Sequence, residues 1–149
     1  LIVPTNLEAR VAPLIGAPFV PKGDDPSGWD CRGLARWCLE HLCGAPTPDY
    51  RDLYCEADVS LQGRRERARL LAEGLAHWRP VAAQAGAVAL LERFGSAGHV
   101  GFMIGPRRIL HADVGVNTGL LDLDRPNAAY RLRGAFVPAF VSRIVSQEA

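Results

Sequence analysis

The sequence predicts an α+β domain in which N-terminal helices pack on a C-terminal antiparallel β-sheet. Before residue 80, apolar residues recur at three- and four-residue spacing, which is typical of amphipathic helices. After it, short apolar runs alternate with glycine-containing turns, which is typical of the strands of a meander. Because the helices precede the strands instead of alternating with them, the pattern favours α+β over βαβ units. A length of 149 residues predicts one domain, residues 1–149.

Composition excludes several classes of function. Hydrophobic residues make up 48% and charged residues 22%, as in ordinary globular proteins. A net charge of +1 gives no reason to expect nucleic acid or an anionic membrane as a partner. No apolar run approaches the ~20 residues of a membrane span, so we expect no membrane insertion. Residues 1–6 do not resemble a secretion signal, which predicts synthesis in the cytoplasm; whether a leader was removed before Leu1 stays open.

The four cysteines are expected to be reduced, and no metal or other cofactor is expected. A chain this long and this apolar does not need disulfides to fold. The cysteine spacings do not reproduce the paired C-x2-C pattern of zinc knuckles. The four are Cys31, Cys38, Cys43 and Cys55.

Three helices are predicted. A capping box at residues 5–8 begins the first, with an apolar side made of Leu7, Val11, Leu14 and Ile15. Asp30 caps the second, which ends at Gly44, a residue suited to the left-handed conformation. The third runs from about Leu61 to Trp78, and Pro80 closes it. Its arginine-rich side, residues 64–69, is better explained as a solvated helix face than as an anion-binding patch.

The predicted strands occupy residues 87–91, 100–104 and 109–112, with further strands at 114–116, 120–121 and 131–137. Residues 105–107 should form the turn of a hairpin that carries His99 and His111. If paired positions have an even index sum, the two histidines share one face, with Cβ atoms within ~4.5–8 Å. Alternation then directs Val100, Phe102 and Ile104 into a core on the other face.

Cys31 lies in the first turn of the second helix, where free N–H groups and the helix dipole favour an anion. By itself this stretch is more typical of a buried structural cysteine. Lowering a thiol pKa by two units needs roughly 2.7 kcal/mol, and a helix N-terminus contributes on the order of 0.3–2 kcal/mol. A neighbouring imidazolium would supply the remainder. His99 is therefore the predicted base, His111 its orienting group, and the Cys31 N–H the oxyanion donor.

Several motifs together resemble the NlpC-type cysteine peptidases. Residues 30–34, D-C-R-G-L, match the family's D-C-S-G-L; residues 99–102, H-V-G-F, match H-V-G-I/F; and residues 110–112, L-H-A, match L/I-H-A. Residues 16–19, G-A-P-F, correspond to G-x-P-Y, so the resemblance covers nearly the whole chain. It implies a papain-like fold and metal-free hydrolysis of peptidoglycan stem peptides, commonly at a γ-D-glutamyl–diaminopimelate bond, through Cys31, His99 and His111.

Phage-tail and gene-transfer-agent members are the most similar branch, because of the extra helix before the sheet and the missing signal. This implies a place at a tail tip, tail proteins as partners, and local opening of the cell wall. Three positions depart from the family pattern: Phe19 replaces a Tyr, Arg32 a Ser and Ala87 an Asp. With Asp30 and Cys31, the residues Phe19 and Arg32 are the predicted cleft residues. Two alternatives stay open: a structural tail-tip component with little hydrolase activity, and an acyltransferase or amidase.

Overall fold

The computed structural model describes residues 1–47, 76–93, 95–125 and 129–147. The predicted third helix therefore lies outside the described residues up to position 75, together with the arginine cluster and Cys55. Two helices and ten strands are described: β1 (Ile2–Val3), α1 (Leu7–Val11), β2 (Asp24–Asp25), β3 (Gly28–Trp29), α2 (Cys31–Cys43), β4 (Trp78–Val81), β5 (Val88–Arg93), β6 (Ser96–Met103), β7 (Arg108–Asp113), β8 (Val116–Asp122), β9 (Tyr130–Pro138) and β10 (Val145–Ser146).

A six-stranded antiparallel sheet forms the C-terminal part of the fold, in the order β4-β9-β5-β6-β7-β8. The predicted meander is confirmed for the four consecutive strands from β5 to β8. The strand β9 instead returns across the sheet and inserts between β4 and β5. The two short strands predicted at 114–116 and 120–121 are replaced by the single strand β8.

The predicted end of the third helix is wrong at Trp78, which begins the strand β4. Pro80 lies within this strand, paired with Phe136, instead of closing a helix. Proline is tolerated here because β4 is an edge strand, where one side of the backbone needs no hydrogen-bond donor. The apolar ring of Trp78 packs against a core cluster, which explains its apolar character without a helix.

The first helix is shorter than predicted and has a different N-terminus. It is followed by a 3-10 turn, Ala12–Leu14, after which Ile15 is extended and 46% exposed, so its predicted place on the apolar side is wrong. Leu7, Val11 and Leu14 are buried as predicted. The predicted capping box is also wrong: Asn6 is the N-cap without a side-chain cap, because its Oδ1 accepts a hydrogen bond from Arg10 Nε.

The helix α2 covers one face of the sheet and begins and ends where the sequence predicts. Gly44 follows it with a φ of 63°, the left-handed conformation that glycine adopts at little cost. Its buried side packs with sheet residues in one core cluster, which contains Leu34, Cys38, Leu39, Val88, Phe102, Leu110 and Ala112. A second cluster, on the other face, contains Leu91, Met103, Ile109 and Ala135.

Within the described part of the chain, no helix is long and apolar enough to cross a membrane. Cys31, Cys38 and Cys43 are free thiols there, and Cys38 and Cys43 are buried in the core, as expected of structural cysteines.

Candidate active site

Asp30 holds the first turn of α2, and so fixes the position of Cys31. Its Oδ1 accepts a hydrogen bond from Gly33 N at 2.8 Å, as the predicted N-cap should. Its Oδ2 accepts another from Lys22 N at 2.9 Å. Burial outweighs these bonds and raises the pKa of Asp30. Since both oxygens are bound by backbone amides, this predicted cleft residue connects the helix to the preceding loop.

His99 on β6 and His111 on β7 lie on one face of the predicted hairpin. The strands pair Phe102 with Leu110 and Met103 with Ile109, an even register that makes the two histidines diagonal neighbours. His99 Nε2 and His111 Nδ1 are 2.9 Å apart in a buried hydrogen bond. The prediction that the histidines share a face is confirmed.

The opposite face of β6 belongs to the core, also as predicted. Phe102 is fully buried there, and Val100 and Ile104 pack against the same cluster as α2. Gly101, on the histidine face, allows β7 to approach closely. A Cβ at this position would lie 2.9 Å from Leu110 O and 3.3 Å from His111 Cβ.

The thiol of Cys31 lies against the backbone of β6 next to His99. It accepts a hydrogen bond from the N–H of Val100, and this bond lowers its pKa. The charge of Asp113, a residue near the histidines, raises the pKa of the same thiol. The fold therefore brings the first turn of α2 to the part of the sheet that carries His99 and His111.

Burial determines the protonation states of Cys31, His99 and His111 in the free protein. It raises the pKa of the Cys31 thiol to about 11, despite the opposing effects of Val100 N–H and of the Arg32 charge. It lowers the pKa of His99 to about 4 and that of His111 in the same direction, although the charge of Asp113 raises both. The low thiol pKa expected from the sequence is therefore not found in the free protein, because desolvation outweighs the Val100 N–H and the Arg32 charge. A neutral thiol and neutral imidazoles are the favoured resting forms.

Asp113 and Tyr130 complete the site and were not predicted. Asp113 Oδ2 accepts hydrogen bonds from Arg93 Nη1 at 2.7 Å and from Tyr130 Oη at 2.8 Å, and lies 3.9 Å from His99 Nδ1. Asp113 follows His111 by two positions in β7, so strand alternation was a usable signal for it. Tyr130 comes from β9, whose place in the sheet no sequence signal gave.

The ring of Tyr130 packs against both histidines, with centroid distances of 5.0 Å to His111 and 5.4 Å to His99. Burial and the bond to Asp113 raise the pKa of Tyr130 to about 12, so its hydroxyl stays a donor near neutral pH. The two imidazole rings and the Tyr130 ring thus form one packed cluster.

The three positions that depart from the family pattern have different surroundings. Phe19 bridges to Trp29 and packs on the core, so it brings no hydroxyl to the site. Arg32 is half-buried, and its charge lowers the pKa of Cys31. Ala87 is fully buried just before β5, a structural position.

As for metals, the described residues contain no group of three or more histidine, cysteine or acidic side chains arranged to hold an ion.

No protein-family model matches the sequence, and neither does any curated protein. Solved structures do match. The NlpC/p60 domain of the peptidoglycan hydrolase SagA is 22% identical, with a TM-score of 0.50, over 78% of this chain and 86% of that one. Two proteins of Trichomonas vaginalis also match: NlpC2, 17% identical with a TM-score of 0.53, and NlpC1, 16% identical with a TM-score of 0.50.

The matches to NlpC2 and NlpC1 cover 87% and 83% of this chain, but only 45% and 40% of those proteins. At these identities the likeness concerns the fold. The α+β, papain-like architecture predicted from the sequence is thereby confirmed, and the chain has the fold of the NlpC/p60 domains.

Proposed function

We propose that the protein is a cysteine peptidase that hydrolyses peptidoglycan stem peptides, with Cys31 as nucleophile, His99 as base and His111 as orienting residue. The observation that carries this proposal is the 2.9 Å His99–His111 bond next to Val100, whose N–H binds the Cys31 thiol. The fold of a peptidoglycan hydrolase domain supports the substrate class. A γ-D-glutamyl–diaminopimelate bond is the target that the sequence motifs imply.

The path of the thiol proton follows from which nitrogen of His99 is already hydrogen-bonded. Nε2 bonds to His111, so Nδ1 is the nitrogen that takes the thiol proton. In that tautomer His99 Nε2–H donates to His111 Nδ1. The S–H bond of Cys31 breaks, the new N–H bond forms, and the electron pair left on sulfur attacks the peptide carbonyl. The N–H of Cys31, at the start of a helix, stabilises the resulting oxyanion.

His99 then returns its proton to the leaving amine, which breaks the C–N bond and leaves a thioester on Cys31. Water hydrolyses the thioester, with His99 accepting a proton from the water and passing it back to the sulfur. Because the resting thiol is neutral, proton transfer accompanies attack. His111 keeps the His99 ring oriented throughout.

Digestion of purified cell-wall sacculi tests this proposal. We expect wild-type protein to release peptides with new amino termini, and Cys31→Ala to release none. Gly105→Ala, in the exposed turn between β6 and β7, is the control for purification and folding, since a methyl group there meets no atom within 4 Å. Equal digestion by wild type and Cys31→Ala would contradict the proposal. Products without new amino termini would indicate an amidase or acyltransferase reaction instead.

A second candidate is a structural component of a phage or phage-like tail tip, with little hydrolase activity. The raised pKa of Cys31 and the missing hydroxyl at Phe19 favour it. A tail-tip setting, with tail proteins as partners, is part of both candidates, and the two differ in turnover. Assembly of particles that carry Cys31→Ala separates them: normal assembly with lost wall opening favours the peptidase, whereas unchanged wall opening favours the structural component.

A further inference from the structure

We propose that Asp113 is a positioning residue of this site, which pairs with the His99 ring once that ring is protonated and so sets the pH range over which Cys31 and His99 exchange a proton. This inference rests on the proposed roles of Cys31 and His99. Asp113 is 8% exposed, on the histidine face of β7.

Three donors hold the carboxylate of Asp113 in one orientation. Its Oδ1 accepts from Val114 N at 2.8 Å, and its Oδ2 from Arg93 Nη1 and Tyr130 Oη. Charge-assisted bonds of this kind are among the stronger ones in proteins. The carboxylate is therefore held by donors from β5, from β9 and from the residue after β7, and does not depend on His99 for its position.

His99 lies between two polar neighbours, one at each ring nitrogen. Nε2 bonds to His111, and Nδ1 lies 3.9 Å from Asp113 Oδ2. This distance exceeds a hydrogen bond, as expected where two acceptors face each other. When Nδ1 takes the proton of the Cys31 thiol, the resulting imidazolium lies within ion-pair distance of the carboxylate. The negative charge thus stabilises the protonated form of His99.

The same charge acts on the thiol, so it shifts both partners in the same direction. Asp113 raises the pKa of His99 and that of Cys31. Removing its charge should therefore move both limbs of a pH profile to lower pH, whichever partner holds the proton at rest. Other charged or titratable groups act on the pair: Arg93 and His111 lower the pKa of His99, Arg32 lowers that of Cys31, Asp30 raises that of Cys31, and Tyr130 bonds to Asp113.

Alkylation of Cys31 by iodoacetamide, followed across pH by peptide mass spectrometry, measures this effect without a substrate. We expect the midpoint for Asp113→Asn to fall by up to about 1 unit, since the Asp113 charge acts on the Cys31 pKa less than burial does and Arg93 offsets part of its field. The NMR titration of the His99 ring should shift in the same direction. Asp124→Asn is the control for net charge. It removes an exposed carboxylate that pairs with Arg107, in the turn between β6 and β7, and should leave the midpoint unchanged.

Tyr130→Phe provides the opposite shift. It keeps the ring against both histidines but removes one donor from Asp113, which leaves more negative charge facing His99. We expect a smaller rise in both midpoints. A purely structural role for Asp113 would not produce opposite shifts in two variants of one cluster. If circular dichroism shows that Asp113→Asn does not fold, the direction in which the midpoints shift in Tyr130→Phe tests the inference instead.

Two results would overturn the inference: an unchanged midpoint in folded Asp113→Asn, or a fall of the midpoint in Tyr130→Phe. Failure of the proposed function gives a different result, in which sacculi stay intact while the alkylation midpoints still shift. If the wild type digests sacculi but the midpoints do not move in the variants, the inference about Asp113 is wrong and the proposed function stands.

Discussion

Gly33, in the first turn of α2, is required by a close approach of two backbone segments. A Cβ at this position would lie 1.9 Å from Gly23 O and 3.0 Å from Asp24 Cα. These are backbone atoms, so a side chain at Gly33 would push the start of the helix, and Cys31 with it, away from the preceding loop. The glycine of the D-C-R-G-L motif thus places the proposed nucleophile.

We predict that Gly33→Ala lowers the free energy of unfolding by about 1–3 kcal/mol, the usual cost of overpacking, and strongly reduces hydrolysis. Chemical denaturation and digestion of sacculi measure the two effects. Gly105→Ala is the matched control, since its Cβ meets no atom within 4 Å. A Gly33→Ala protein as stable and as active as the control would show that the loop can move aside.

The sequence alone identified Cys31, His99 and His111 as candidate site residues, because a helix cap and the alternation of side chains along a strand are local properties. It did not reveal the thiol pKa, since desolvation depends on atoms from β6 and other distant parts of the chain. Tyr130 was missed for a similar reason. Its contact with Asp113 depends on how the sheet brings β9 and β7 together, which neither strand's own pattern contains.

At the scale of elements, the edge strand β8 is hydrogen-bonded to residues 16 and 17, in the loop that precedes Cys31. Thr118 exchanges backbone hydrogen bonds with residues 16 and 17, at 2.8 and 2.9 Å. Its buried hydroxyl accepts from Trp29 Nε1 at 2.8 Å and donates to Ala17 O at 2.9 Å. Trp29 is fully buried and directly precedes Asp30, so this hydroxyl connects the sheet to the start of α2.

We predict that Thr118→Val lowers the free energy of unfolding by about 1–3 kcal/mol, because it leaves the buried Trp29 N–H and Ala17 carbonyl without this partner. Hydrolysis should also fall, since Trp29 positions the residues before Cys31. Thermal denaturation measures the stability, and tryptophan fluorescence reports the surroundings of Trp29 together with those of Trp37 and Trp78. Thr118→Ser keeps the hydroxyl and should stay close to wild type. A Thr118→Val protein as stable as wild type would contradict the role of the hydroxyl.

Element limits were predictable where one residue determines them, as Asp30 and Gly44 do for α2. Element limits were not predictable where the same stretch of sequence suits both a helix and a strand. Trp78 fits the apolar side of a helix and also a strand that packs on the core, and only the pairing of β4 with β9 decides between them. The position of β9 within the sheet is likewise a property of the assembled fold.

At the scale of the whole molecule, buried titratable groups make stability depend on pH from both sides. His99, with a pKa lowered to about 4, and His111, lowered in the same direction, stay neutral in the folded protein below the ordinary histidine pKa of 6.5. The unfolded chain binds those protons. Stability should therefore fall as pH decreases from about 6.5 towards 4, by about 1.4 kcal/mol per pH unit for each histidine that stays neutral.

The thiols impose the limit on the alkaline side. Burial raises the pKa of Cys31 and of Cys43 to about 11 from a value of 9.0, so the folded protein keeps protons that the unfolded chain releases. Stability should therefore fall again as pH rises from about 9 towards 11, which leaves a maximum between roughly pH 6.5 and 9.

Melting temperatures from pH 4.5 to 10.5 measure this dependence. We expect His99→Gln to flatten the acid side, because one of the two buried imidazoles no longer resists protonation, while the alkaline side is retained. His41→Gln, at an exposed histidine near the end of α2, is the control for loss of an imidazole outside the buried site. A melting temperature constant between pH 4.5 and 7 would mean that the histidines gain their protons without unfolding, and the buried site would then have to open to water in the folded state.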